Sequence, residues 1–394
     1  MAINIPILFS IAGGLIIIGF LSNEFFYKIK IPEALILIFI GILLGPVFHV
    51  FDPGSFLSFS GVMASIAIMV IMFEAGLTLD IRRVVSEAPK SFMFATAYYT
   101  LSVVLVSIIT TLLTGWPYIY GLLVGALLSG TSAAVVIPLL RQLNIEKDEA
   151  VVLELESTIT NIYIMILTLS FVRIIVEGEA TDIALTINQI LGAFTISAVI
   201  AALVGYAWLR TLKKLQQKPF SYMLTLAVLL FLYAFLEYIG ASGPLGALVF
   251  GLVLSNVHVV SPLRTVHLIQ LHTEISFFIR VFFFVFLGVI FQASDNPILW
   301  LLAVFIGLIS MLSRFIAAKL MEFKHVDLFT TLIPRGLGEA VLASLILDYG
   351  VEHAMEILQL TSLVIIVTNV MTAAAIFYIL RRAQAETSAQ PQAG

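Results

Sequence analysis

The chain has 394 residues, of which 61% are hydrophobic and only 11% charged, with a mean hydropathy of +1.11. A soluble core of that size needs far more polar cover, so the composition specifies a polytopic membrane protein. A net charge of −4 argues against nucleic-acid binding, and the absence of cysteine excludes disulfides, thiol chemistry and Cys-based metal sites.

The N-terminal stretch MAINIPILFSIAGG lacks the basic region of a signal peptide, so its apolar run reads as the first membrane helix. Apolar runs long enough to cross a bilayer recur at 5–22, 31–50, 58–78, 90–114, 117–142, 149–176, 184–212, 219–239, 242–258, 270–292, 297–320, 327–349 and 357–382. This predicts thirteen spans, followed by a disordered tail over 383–394. Basic residues cluster after alternate spans: Lys28 and Lys30, Arg82, Arg83 and Lys90, Arg141 and Lys147, Arg210 to Lys218, Arg264, Lys319 and Lys324, Arg381 and Arg382. The positive-inside rule then puts the N-terminus outside and the C-terminus in the cytoplasm. Arg280, Arg314 and Arg335 are left for the membrane interior.

Two spans read as broken. Span 5 is interrupted at Ser129-Gly130-Thr131-Ser132, and span 12 at Pro334-Arg335-Gly336, with Gly338 beyond. Backbone groups released at membrane depth are tolerated only where protein or a cavity satisfies them. The two breaks sit seven spans apart and run in opposite directions, as an inverted repeat of spans 1–6 and 8–13 requires. Paired interruptions of this kind point to a transporter's binding site. The plainer alternative is a packing notch at Gly130 and a proline kink at Pro334.

Span 6 carries Glu156, Ser157, Thr158, Thr160 and Asn161 in apolar surroundings. A carboxylate in hydrocarbon costs about 2.5–3.5 kcal/mol on insertion scales, so Glu156 needs a partner. Ser157 and Asn161 share one face, with Glu156 and Thr160 on the adjoining one. Such oxygens can replace part of an ion's water shell, although hydroxyls also serve to glue membrane helices. Arg314 on span 11 lies at the depth of Glu156, which predicts an ion pair. Glu74, in MFEAGLTLD, is a second acidic candidate facing the same cavity, or else a structural carboxylate capping a neighbouring helix. Glu339, one turn beyond Arg335, is the candidate partner of that arginine. Arg280 has no evident partner, and the histidines read as solvated loop residues.

IPEALILIFIGILLGP, MFEAGLTLD, GTSAAVVIPLLRQL, LEYIGASGPLGALVFGLVLSN and IPRGLGEAVLAS, in this order, resemble the monovalent cation/proton antiporter superfamily in its sodium/proton exchanger branch. The resemblance covers nearly the whole chain. It implies one transporter domain over 1–394, with a scaffold and dimerisation bundle from 1–80 and 184–292 and an ion-carrying bundle from 90–176 and 297–382. Thr131 and Ser132 would belong to the crossing of the discontinuous helices, and Glu156 with Ser157 to the family's Glu-Ser pair, salt-bridged by Arg314. Na+ would bind at Asn161, Ser157 and Thr131, with Thr160, Ser132 and Glu74 nearby.

The resemblance also implies Na+ (or Li+) for H+ exchange by alternating access in a prokaryotic inner membrane, as a homodimer and without cofactor; K+ is the alternative cation. Arginine rather than lysine at 314 suggests electroneutral exchange. One position departs from the pattern. The family's titrating aspartate is here Asn161, whose amide can ligate a cation but cannot release a proton. Exchange is then impaired, unless Glu74 or Glu156 carries the proton. Two other classes fit less well. Gly240-Ala241-Ser242-Gly243 has the form of an intramembrane serine protease motif, yet the later histidines fall at span ends. A channel would lack a recognisable filter sequence.

Overall fold

A computed structural model describes residues 13–22, 32–51, 53–78, 89–142, 147–177, 183–214, 221–256, 262–291 and 296–389, together with Ser10 and Glu24. Among these residues the architecture is helical throughout. Helices α1 (Gly13–Ser22), α2 (Glu33–Ile42), α3 (Pro53–Thr78) and α4 (Pro89–Thr114) form the first four spans. Span 5 is split into α5 (Tyr118–Leu128) and α6 (Ala133–Gln142). Spans 6 to 11 are α7 (Lys147–Glu177), α8 (Ile183–Lys214), α9 (Ser221–Tyr238), α10 (Gly243–Asn256), α11 (Pro262–Val289) and α12 (Pro297–Leu320). Span 12 is split into α13 (Val326–Thr331) and α14 (Leu337–Asp348), and α15 (Ala354–Ala389) closes the chain.

Seven of these segments are each long and apolar enough to cross a membrane, and shorter apolar helices such as α9 and α10 lie between them. Five of the expected basic residues, Lys28, Lys30, Arg82, Arg83 and Lys218, lie outside the described residues, as does the tail beyond 389. The segment after Arg382 departs from expectation. Instead of becoming irregular there, α15 continues to Ala389, through an Ala-, Gln- and Glu-containing stretch with good intrinsic helix propensity.

The packing falls into two groups. In the first, α3 lies along α10, α10 along α8, and α2 along α11. Glycines set these close crossings. A Cβ at Gly76 would overlap the Leu248 carbonyl, one at Gly251 the Phe73 carbonyl, and one at Gly41 the Val285 carbonyl. Small residues at such contacts let helix backbones approach where no hydrophobic effect drives association. Pro46 lies within a π-helical turn over Leu43–Val47 that extends α2, as expected where a missing N–H interrupts the regular ladder. In the second group, α4 packs on α5, α7 and α12, while α12 and α14 both pack on α15. Helix α14 also packs on α3 and α11, so it lies at the boundary between the groups.

Candidate ion site

The two interruptions meet. The Ser132 amide, at the end of the first break, donates to the Pro334 carbonyl of the second at 2.8 Å. Gly336 passes so close that a Cβ there would overlap the Ser132 hydroxyl. Two irregular segments thus satisfy each other's backbone, which is how such segments survive inside a membrane. The second break begins two residues earlier than the proline signal implies, since α13 ends at Thr331.

Helix α15 supplies the remaining partners. Thr372 Oγ1 donates to the Thr331 carbonyl (3.2 Å), the Arg335 amide donates to Thr368 Oγ1 (3.3 Å), and Asn369 Nδ2 donates to the Arg335 carbonyl (2.8 Å). Sequence reasoning missed this group. Its signal was available: Thr368, Asn369 and Thr372 are polar residues at helical spacing in an apolar run.

Beside the crossing lies a buried ion pair. Arg314 grips Glu156 with both terminal nitrogens, Nη1 to Oε1 at 3.0 Å and Nη2 to Oε2 at 3.2 Å, and neither residue is solvent-exposed. Arg314 Nε also donates to the Phe329 carbonyl (2.6 Å), and the guanidinium lies 4.7 Å from the Tyr98 ring centroid. Thr131 donates to Glu156 Oε1 at 2.9 Å, and the Tyr98 hydroxyl donates to the same oxygen. The pair meets the conditions under which buried charges persist: bidentate geometry, and further hydrogen bonds to the remaining lone pairs. Tyr98 is absent from the sequence-based site, since one tyrosine in an apolar helix carries no distinctive signal.

The candidate ion ligands divide. Thr131 spends its hydroxyl on the Glu156 cluster. Ser157 Oγ donates to the Glu154 carbonyl (2.9 Å), and Thr160 Oγ1 to the Glu156 carbonyl (3.1 Å) while accepting from the Thr131 amide (3.3 Å). Asn161 is half-buried, and its side chain makes no hydrogen bond to another described residue. Its Oδ1 lies 3.7 Å from where a Gly338 Cβ would stand. Ser132 Oγ, beside Gly336, is likewise uncommitted among the described residues. Glu74 does not join this group's hydrogen bonds. Its Oε2 accepts from Ser276 of α11 at 2.7 Å, which ties it into the first packing group.

Gly130 packs against Ile164 of α7, so the first break is pressed onto the ion-pair helix. Arg335 is fully buried, and Nη2 donates to Ser310 Oγ at 2.6 Å. The expected Arg335–Glu339 ion pair does not form within 4 Å: Glu339 turns back to accept from the Gly336 amide (3.0 Å), closing the first turn of α14. Arg280 pairs with Glu33 of α2 at 3.0 Å, a partner 247 residues away that local spacing could not reveal.

A profile described as sodium/hydrogen exchanger, transmembrane, matches residues 13–382. The chain belongs to the sodium/hydrogen exchanger family. Members are secondary transporters rather than enzymes, which sets aside the protease reading of Ser242; that residue follows the α9–α10 turn, its hydroxyl accepting from the Leu245 amide.

Among related sequences, the K(+)/H(+) antiporter NhaP of Alkalimonas amylolytica is 27% identical over 75% of this chain and 51% of its own length. The K(+)/H(+) antiporter NhaP2 of Shewanella sp. (strain ANA-3) is 25% identical over 92% of this chain and 65% of its own. The chain therefore spans between half and two-thirds of these relatives' length. Among solved structures, the sodium proton antiporter MjNhaP1 of Methanocaldococcus jannaschii at pH 8 superposes with a TM-score of 0.77. The alignment has 19% identity and covers 95% of this chain and 96% of that one, so it shows a shared exchanger fold.

Proposed function

We propose that this protein exchanges a monovalent cation for protons across a prokaryotic inner membrane, electroneutrally, with N-terminus outside and C-terminus in the cytoplasm. The observation that carries the reading is the contact of the two breaks, Ser132 to Pro334, next to the uncommitted Asn161 side chain. Na+ is the cation suggested by the name of the MjNhaP1 neighbour, with Li+ as its smaller analogue, and K+ by the names of the NhaP relatives. Asn161 Oδ1 and Ser132 Oγ offer neutral oxygen ligands, with Ser157, Thr160 and Thr131 framing them from α7 and the first break. Glu156 and Arg314 hold the two breaks in register.

The physical logic is competition. A carboxylate beside these neutral ligands is disfavoured as a bare charge in a low-dielectric site, so a proton and a metal ion exclude one another while either one neutralises it. Neutral loaded states cross as the second helix group moves against the first, and the empty charged state does not. Exposed apolar residues on α8 and α9, among them Leu203, Phe231 and Phe235, would face lipid or a second copy in a homodimer. The test is purified protein in liposomes with an internal pH dye and an imposed proton gradient. Addition of Na+, Li+ or K+ should collapse the gradient without generating a membrane potential. A gradient indifferent to all three cations would remove the proposal.

A further inference from the structure

Cation/proton exchange needs a group that titrates, and position 161 cannot supply it. Three carboxylates deserve comparison. Glu156 has both oxygens committed, to Arg314, Thr131 and Tyr98. Glu74 is held by Ser276 in the other helix group. Glu339 is different. It is fully buried, its Oε2 accepts from the Gly336 amide, and its Oε1 has no hydrogen-bond partner among the described residues. A buried carboxylate oxygen left unpaired is costly, so its persistence calls for a functional explanation.

Its placement supplies one. Glu339 lies in the first turn of α14, just after the second break and next in sequence to Gly338, at which a Cβ would stand 3.7 Å from Asn161 Oδ1. Asn161 is half-buried, whereas Gly338 and Glu339 are buried. Ser310 takes Nη2 of Arg335 and Nε has no hydrogen-bond partner among the described residues, so the guanidinium makes no bidentate clamp on the carboxylate.

We propose that Glu339 is the exchanging carboxylate of this protein, standing in for the aspartate that position 161 lacks. This rests on the cation/proton reading above. Protonated, Glu339 is neutral. An arriving cation takes the carboxylate, with Asn161 Oδ1 as a neutral ligand, and the displaced proton leaves to water; the reverse exchange on the other side restores the acid. One proton is released for each cation bound, so the site's net charge is unchanged. Asn161 is then part of a working site and not a lesion.

The experiment compares wild type, Glu339→Gln, Asn161→Asp and the double variant Asn161→Asp/Glu339→Gln. Two readouts are taken: gradient-driven exchange in liposomes, and proton release into a weakly buffered dye solution when Na+ or K+ is added to detergent-solubilised protein. Wild type should exchange and release protons; Glu339→Gln should lose at least tenfold in both. The double variant should recover both, which also shows that the glutamine is compatible with folding. Glu339→Gln keeping wild-type proton release overturns the proposal. So does a wild type that is silent while Asn161→Asp is active, an outcome that leaves antiport itself standing. Silence of both wild type and Asn161→Asp with every cation overturns the proposal together with the antiport reading.

Discussion

The Ser132 amide and the Pro334 carbonyl, 202 positions apart in sequence, share a hydrogen bond of 2.8 Å that fastens the first interrupted helix to the second. Everything proposed for the site depends on that junction, because it places the starts of α6 and α14 beside the same stretch of α7.

The junction leaves no room at Gly336. Gly336→Ala would drive a methyl group into the Ser132 side chain, so we expect loss of exchange together with a lowered thermal midpoint in detergent. Gly338→Ala is the informative counterpart. Its Cβ would sit in ordinary contact, 3.5 Å from Met165 Cε and 3.7 Å from Asn161 Oδ1. That variant should fold normally yet bind cation several-fold more weakly, as measured by the cation concentration giving half-maximal exchange.

The Glu156–Arg314 pair is expected to behave as a buried salt bridge with no solvent to relieve a missing partner. Arg314→Met alone should cost about 3–5 kcal/mol by stranding the carboxylate. Glu156→Leu with Arg314→Met should recover much of that loss, read as thermal midpoints, because two apolar groups leave no orphaned charge. Equal destabilisation in the single and double variants would show that the pair's value lies in its hydrogen bonds to Thr131, Tyr98 and the Phe329 carbonyl.

The sequence displays the breaks, the span 6 polar run and the Glu156–Arg314 pair because each violates a strong local rule. Proline, glycine and charge are conspicuous in hydrocarbon. Contacts that obey local rules stay hidden. Tyr98 and Thr372 look like ordinary membrane-helix residues, and Glu33 gives no hint that Arg280 folds back onto it. Glu339 was legible as a charge but not as an unpaired one, since only the fold shows Arg335 turning to Ser310 instead.

Between α7, α9 and α14 lies a cavity of about 260 Å³ lined in part by Ser170, Arg173, Glu237 and Tyr349. Arg173 of α7 donates to the Ala241 carbonyl at 2.9 Å, bridging the two helix groups. Movement between the groups must break that bond. These 394 residues contain no cysteine, so a single Ser170→Cys reports on this cavity alone. Adding Arg173→Ala should speed its labelling by a membrane-impermeant maleimide several-fold, and an unchanged rate would show that Arg173 does not restrain opening.

The most direct test of the central claim is to locate the bound ion. Tl+ mimics a monovalent cation and scatters anomalously, so crystals grown with it should show a peak between Asn161 and the start of α14, within ligand distance of Glu339. A peak confined to the Arg173–Glu237 cavity, or none near Asn161 at concentrations that support exchange, would contradict the account.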